Sequence, residues 1–300
     1  MLGELLNGRW LPRVQNNVMD GFATRACAND ACGDASSWIL EWMRHRNRGI
    51  QMLSNWYCSP QCFESGLCRH IQQLLSRQAP VARGWRLPLG LVLLSQGAID
   101  KTQLASALNS QRNSGNGRIG DWLLSMGAVD EQQITKALGE QHCCPVLKSA
   151  RLCPEFAQWI PFQVLERHGV VPVHYAERTR TLYLAFSERV DRSLLYAIEQ
   201  ILSCRAEACV VPEREMKVQM EAARCVPRPA EVLFEAEQSP SEIARISRSY
   251  AVQFQSSEAR LAIAGEYVWI RLSRPKQTFN ILFRSSCGAQ SAQLQEDFAT

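Results

Sequence analysis

Several features of membrane-bound and catalytic proteins are missing from this 300-residue sequence. No apolar run approaches the roughly 20 residues of a membrane-spanning helix, and the opening MLGELLNGRW lacks the basic region and apolar core of a signal peptide. No Gly-Lys pair occurs, which excludes the phosphate loop of many ATPases. The five histidines show no metal or triad spacing, and no serine or cysteine stands in a recognisable nucleophile motif. We therefore expect a cytoplasmic protein that is not an enzyme and has no membrane span.

The sequence also has little excess charge of either sign. A formal net charge of +4 is too small to indicate a nucleic-acid or membrane partner by itself. A short basic cluster comprises Arg44, His45, Arg46 and Arg48. Because so few basic groups bind nucleic acid only weakly and in a salt-sensitive way, we expect a solvated loop there rather than the contact surface of a nucleic-acid-binding zinc module.

Cysteine, in contrast, is abundant and unevenly distributed. Five of the twelve cysteines lie between residues 27 and 68, and without a signal peptide we expect reduced thiols rather than disulfides. Two pairs separated by 25 residues approximate the layout of a tetrahedral structural zinc site. The predicted ligands are Cys27, Cys32, Cys58 and Cys62, with Cys68 and His70 in reserve. The alternative is that these cysteines are merely buried thiols.

The second cysteine pair lies in a recognisable local motif. Residues 56–62 read Trp-Tyr-Cys-Ser-Pro-Gln-Cys, and residues 63–75 continue with a helical pattern. This stretch resembles the Tyr-Cys-Ser-x-x-Cys knuckle of small treble-clef zinc modules. A thiolate site at a helix N-terminus also gains from the helix dipole.

The longest organised stretch is an internal repeat of 24 residues, found at 88–111 and again at 118–141. At an offset of 30 the two copies share eleven identities, far beyond chance. Each copy predicts a short helix, a glycine stop at Gly97 or Gly127, and a second helix. Asp100 and Asp130 are predicted to begin the second helices, because a glutamine three residues on completes a capping box.

The repeat has the order Arg, Leu, Gly, two aliphatic residues, Gly, then Leu, Leu and a final Gln. This order resembles the MshEN domain, the N-terminal domain of type II secretion and type IV pilus assembly ATPases, a subset of which binds cyclic di-GMP across its two motifs. The resemblance spans about residues 86–224 and implies such a domain without the ATPase core. In the first copy Pro88 occupies the place of the leading arginine, and Arg86 lies two residues earlier.

The resemblance implies a set of residues that bind cyclic di-GMP. In the second copy they are Arg118, Ile119, Gly120, Leu123, Gly127, Leu138 and Gln141. In the first copy they are Leu89, Gly90, Leu93, Gly97, Leu108 and Gln111, together with Arg86. We expect Arg118 to contact a phosphate or a guanine, since arginine forms charge-assisted hydrogen bonds with either. The alternative is that the leucines only pack four small helices together.

The sequence as a whole predicts an α+β multidomain protein. The predicted segments are a lead-in at 1–26, a small zinc module at 27–77, a tandem helical-hairpin repeat at 86–144, a small α/β sandwich at 145–225, a C-terminal helix plus three-stranded antiparallel meander at 238–284, and a polar tail at 285–300.

Two functional hypotheses follow. In the first, a non-catalytic cytoplasmic protein binds cyclic di-GMP through the tandem repeats and communicates the ligand-bound state to a protein of a secretion or pilus assembly machine. In the second, the repeats only pack, and the chain is a zinc-stabilised protein–protein scaffold or adaptor without nucleotide binding.

Overall fold

The structure is a computed structural model that describes residues 26–32, 49–77 and 87–285. This part of the chain is a mixed α/β fold with ten helices and two sheets. The helices are α1 (Pro60–Ser76), α2 (Leu89–Ser95), α3 (Lys101–Ser114), α4 (Ile119–Ser125), α5 (Glu131–His142), α6 (Pro154–Ala157), α7 (Phe162–His168), α8 (Arg192–Leu202), α9 (Glu213–Arg224) and α10 (Pro240–Gln253). The strands are β1 (Ile50–Met52), β2 (Asn55–Tyr57), β3 (Val170–Ala176), β4 (Thr181–Phe186), β5 (Arg205–Val210), β6 (Glu231–Phe234), β7 (Glu258–Ala264), β8 (Tyr267–Arg274) and β9 (Gln277–Arg284). Among the described residues, no helix is both long and apolar enough to cross a membrane.

The two copies of the repeat fold as helical hairpins, and their predicted turn chemistry is confirmed. Gly97 and Gly127 adopt left-handed φ angles of 69° and 65° just after α2 and α4. Asp100 and Asp130 each accept a hydrogen bond of 2.7 Å from the backbone N–H three residues on. The glutamine at that position accepts a hydrogen bond from the backbone of the aspartate in return, which completes both capping boxes.

The two hairpins pack as a pseudo-twofold pair, in which α2 lies against α5 and α3 lies against α4. Gln111 Nε2 donates to the carbonyl of Gly117 at 2.9 Å, and Gln141 Nε2 donates to the carbonyl of Leu87 at 2.7 Å. These are equivalent positions in the two copies, so each terminal glutamine fixes the start of the opposite short helix. The core of the pair consists of Val92, Leu93, Ile99, Ala107, Leu123, Val129 and Ala137.

The smaller sheet belongs to the α/β unit, the name used below for residues 145–225. Strand β4 is central, with β3 antiparallel on one side and β5 parallel on the other. Helix α8 connects the parallel pair, and Asp191 caps it through the backbone N–H groups of Ser193 and Leu194. Because α8 packs against both β5 and β7, it lies between the two sheets.

The larger sheet has more strands than the sequence predicts. The predicted meander is present as β7, β8 and β9, with Gly265 at a φ of 59° between the first two. Strand β6 adds in parallel to β9, and β1 adds in parallel to β7 with β2 outside it. Helix α1 packs against α10 on this sheet. The segments predicted as a zinc module and a C-terminal meander therefore share one sheet and one apolar core.

The short length of β1 and β2 explains why they join another sheet. Each has only three residues, and an isolated two-stranded hairpin is marginal in water. The edge of β7 offers β1 backbone partners, and Gln51 N donates to the carbonyl of Ser257 at 2.9 Å. Such a long-range pairing leaves no periodic signal in the sequence around residue 50.

Candidate metal centre and candidate ligand surface

Four cysteines converge at the N-terminus of α1, and they are the predicted zinc ligands. The Sγ atoms of Cys27, Cys32, Cys58 and Cys62 all lie within 4.8 Å of one another. The Sγ distances are 3.6 Å between Cys32 and Cys58 and 3.8 Å between Cys58 and Cys62. A disulfide would need about 2.05 Å. A tetrahedral zinc ion with Zn–S bonds of about 2.3 Å separates its sulfur ligands by about 3.8 Å, so the observed distances fit a metal site.

Local hydrogen bonds bring the cysteines together. The backbone N–H of Ala28 donates to the carbonyl of Trp56 at 2.9 Å and ties the first loop to β2. The backbone N–H of Cys32 donates to the carbonyl of Asn29 at 2.9 Å and closes the turn between the first two cysteines. Ser59 caps α1 by accepting a hydrogen bond from the backbone N–H three residues on, which is that of the fourth cysteine.

The surroundings of the cluster favour a thiolate at Cys62. Burial by itself raises the pKa of Cys62, but hydrogen bonds from the side chains of Asn29 and Ser59 lower it to about 7. The side-chain amide of Asn29 donates a hydrogen bond to Cys62 Sγ at 3.3 Å. Burial, and then hydrogen bonding with Cys32, raises the pKa of Cys58. A bound dication would supply the positive charge that several adjacent thiolates need.

The reserve ligands Cys68 and His70 are not part of this group. Both lie farther along α1, and the metal-competent group within the described residues consists of the four cysteines alone. His70 Nδ1 lies 2.9 Å from the carbonyl oxygen of Gly66, in its own helix.

The second candidate site surrounds Arg118, which directly precedes α4. Its Nε lies 3.0 Å from Asp121 Oδ2 and its Nη2 lies 3.6 Å from Glu213 Oε2. Its Nη1 forms an ion pair with Glu188. The Arg118 side chain is nevertheless 49% exposed. Burial alone lowers the pKa of Arg118, but Asp121 and Glu188 raise it by hydrogen bonds and charge.

Two of the three carboxylates reach Arg118 because the second hairpin docks on the α/β unit. Asp121 lies in α4, whereas Glu188 follows β4 and Glu213 begins α9. At the start of α5, Glu131 Oε1 accepts a hydrogen bond from the backbone N–H of Arg214 at 2.9 Å. The docking thus brings acidic groups of the α/β unit beside the one in-register arginine of the repeats.

The other predicted ligand residues differ widely in exposure. The buried ones are Gly90, Leu93, Gly120 and Leu123. The partly buried ones are Leu89, Gln111, Ile119, Leu138 and Gln141. The exposed ones, besides Arg118, are Gly97, Leu108 and Gly127. Arg86, like the basic cluster at 44–48, lies outside the described residues.

Several of these residues have a packing role in this structure. Leu93 and Leu123 are 0% exposed in the core of the hairpin pair. A Cβ added to Gly90 would lie 2.6 Å from Leu104 Cδ1, so glycine permits the close packing of α2 and α3. Leu138 packs against the core of the α/β unit, whereas the equivalent Leu108 is 36% exposed. The two halves of the repeat therefore differ in their surroundings.

Reasoning from the sequence missed the three acidic neighbours of Arg118. Asp121 could have been found, because residues three apart face each other on a helix. Glu188 and Glu213 come from distant parts of the chain, and nothing near them in the sequence indicates their place beside Arg118.

Comparison with known proteins finds similar chains among solved structures. No protein-family model matches the chain, and no curated protein matches it significantly. The structure of MshE with cdg is 27% identical, with a TM-score of 0.40, over 46% of this chain and 99% of that chain. A structure of the N-terminal domain of XpsE is 19% identical, with a TM-score of 0.34, over 44% of this chain and 91% of that chain. Both TM-scores lie below 0.5.

Proposed function

We propose that this chain is a non-catalytic regulatory protein that binds cyclic di-GMP at the surface around Arg118. The observation that carries the proposal is one exposed arginine set among carboxylates from three elements. An arginine donates to the O6 and N7 acceptors of guanine, and a carboxylate accepts from the N–H donors of the same base. Adenine presents a different order of donors and acceptors, so a mixed site of this kind favours guanine.

The carboxylates also determine which part of the ligand approaches. Asp121, Glu188 and Glu213 would repel a phosphodiester placed beside Arg118. A guanine base is neutral and has donors for these oxygens. We therefore expect a base edge at Arg118, with the phosphates directed away from the acidic groups.

The pseudo-twofold arrangement of the hairpins suits a ligand with twofold symmetry, but the two half-sites are unequal. Pro88 stands at the position equivalent to Arg118, and proline has neither a cationic side chain nor a backbone N–H. We therefore expect one half of the dinucleotide to be held more strongly than the other, and the overall affinity to be modest.

Titration calorimetry on the full chain tests this proposal. Arg118→Ala is expected to weaken cyclic di-GMP binding by about ten- to hundredfold, because a charge-assisted hydrogen bond is lost. Glu188→Ala should also weaken it, whereas Arg112→Ala, an exposed arginine near the end of α3, should bind as the unchanged protein does. Arg86→Ala should have a smaller effect than Arg118→Ala. Cyclic di-AMP, which has the same charge, should bind less well.

Two outcomes would contradict the proposal that cyclic di-GMP binds around Arg118. If the unchanged protein gives no heat and no thermal stabilisation at high cyclic di-GMP concentration, the repeats are a packing device, and the scaffold hypothesis replaces the regulatory one. If Arg118→Ala and Arg112→Ala bind equally well, the site is not at Arg118.

A second proposal rests on a different observation, the convergence of four cysteine sulfurs within 4.8 Å. We propose that Cys27, Cys32, Cys58 and Cys62 hold one structural zinc ion. Metal analysis of the purified protein should find close to one zinc per chain. Cys58→Ser should lose it, and Cys68→Ser, a change in α1 outside the cluster, should retain it. Absence of metal from the unchanged protein, even after zinc is added, would refute this site.

Other features stay predictions from the sequence. These are the lack of ATP hydrolysis, the cytoplasmic location and a protein partner in a secretion or pilus assembly machine. A steady ATPase signal that copurifies with the protein and disappears on mutation of this chain would contradict the first of them.

A further inference from the structure

The described residues of the segment that carries the four cysteines, 26–32 and 49–77, contribute the β1–β2 hairpin and helix α1 to the larger sheet and its core. Strand β1 is parallel to β7, with Gln51 opposite Glu258 and Met52 opposite Ala259. Met52 is 0% exposed although it belongs to a three-residue strand. The start of the β7 edge that faces away from β8, at Glu258 and Ala259, is therefore covered by a strand from much earlier in the chain.

Helix α1 covers the apolar face of α10 in the same unit. Phe63, Leu67 and Ile71 of α1 are at most 1% exposed and belong to one core with Ile243 and Ala251 of α10. Across the same contact, Arg248 of α10 forms an ion pair with Glu64 of α1, with Nη1 3.0 Å from Oε2.

The cysteine centre lies where the parts of this segment meet. Cys58 follows β2, Cys62 lies in the first turn of α1, and the other two cysteines lie in the loop at 26–32. One ion would therefore join the loop, the β1–β2 hairpin and α1. Without it, a hairpin of three-residue strands and a short loop have few contacts of their own to hold their geometry.

We propose that metal occupancy of the four-cysteine centre controls the attachment of residues 26–32 and 49–77 to the rest of the larger sheet. This inference rests on the zinc proposal above. With the ion bound, β1 covers the start of the β7 edge and α1 covers the apolar face of α10. Without it, this segment detaches and exposes that edge and that face, while the α/β unit stays folded.

Hydrogen exchange of the full chain, measured by mass spectrometry with zinc and after treatment with EDTA, tests the proposal. Peptides from α1 and from α10 should both exchange about tenfold or more faster after metal removal, because local opening exposes their amides. Peptides over β3 and β4 should be unchanged. Cys58→Ser should reproduce the effect without chelator, and Cys68→Ser should not.

The outcomes separate the two proposals. If the protein takes up no zinc, both the metal site and this attachment fail. If it binds zinc but only residues 26–62 change on metal removal while α10 keeps its protection, the metal site stands and the attachment is wrong. If β3 and β4 open together with α10, the ion stabilises the whole fold rather than this attachment, and the proposal is also wrong.

Discussion

At the scale of single residues, Gly139 permits the close contact between α5 and the chain that leaves it. A Cβ at this position would lie 2.4 Å from Val146 Cγ2 and 3.1 Å from the carbonyl oxygen of Cys144. We expect Gly139→Ala to lower the free energy of unfolding by about 1 to 3 kcal/mol, since the backbone must shift. Asn109 is the equivalent and exposed position in the first hairpin, so Asn109→Ala is the matched control. Chemical denaturation would measure both, and equal effects would contradict this explanation.

Asp191 is a second residue with a measurable signature, in this case a dependence on pH. Burial raises the pKa of Asp191, but hydrogen bonds from His168 and Ser193 outweigh it, and the pKa lies below its usual value. The folded state therefore favours the carboxylate, and this stabilisation is complete above the unfolded pKa of about 4 and is lost as the pH falls towards the lowered pKa.

The corresponding variant is Asp191→Asn, which keeps the size of the side chain and removes its charge. Its melting temperature should be clearly lower than that of the unchanged protein at about pH 7, and the gap should narrow at about pH 3. A gap that is constant with pH would show that the carboxylate charge does not contribute.

At the scale of elements, the glutamine that ends each copy of the repeat should stabilise the contact with the opposite hairpin, and to the same extent in both copies. Gln111 and Gln141 donate to the carbonyls that precede the opposite short helices. Gln111→Ala and Gln141→Ala should each lower the free energy of unfolding by about 1 kcal/mol, the usual net value of one hydrogen bond. Thermal denaturation of the single and double variants would test this. A loss of stability for only one of the two single variants would contradict the pseudo-twofold arrangement.

At the scale of the whole molecule, Arg271 links the larger sheet to the α/β unit. Its Nε donates to Asn280 Oδ1 at 3.1 Å, and its Nη2 donates to the carbonyl of Trp159. Burial, and then the charge of Arg260, lowers the pKa of Arg271 to about 9. The buried charge is thus unfavourable by itself, and the hydrogen bonds to Asn280 within the sheet and to Trp159 of the α/β unit offset part of its cost.

Two substitutions at this position separate charge from packing. Arg271→Ala should lower the free energy of unfolding by about 3 kcal/mol, because it leaves a cavity and an unpaired Trp159 carbonyl. Arg271→Met fills the volume without a charge and should cost less. Arg205→Ala, at an exposed position of the smaller sheet, should change stability by no more than about 0.5 kcal/mol. Denaturant titration would measure all three, and a methionine variant as unstable as the alanine variant would contradict this account.

The sequence by itself determined the features that depend on neighbouring residues. The glycine stops at 97 and 127 and the capping boxes at Asp100 and Asp130 act over three or four residues, so they can be read directly from the chain. The meander β7–β9 was predictable for the same reason, because its strands are consecutive and joined by short turns. The paired cysteine spacing indicated a metal site, and the four sulfurs do converge.

Only the tertiary structure decided which surfaces these local elements share. The pairing of β1 with β7 and the approach of Glu188 and Glu213 to Arg118 join residues that are far apart in the chain. Several edges and faces of similar chemistry compete for such contacts, and the choice depends on the packing of the whole core rather than on any local pattern. For this reason the sequence indicated Arg118 and the cysteines as candidate site residues, whereas their surroundings, and with them the chemistry of each site, followed from the fold.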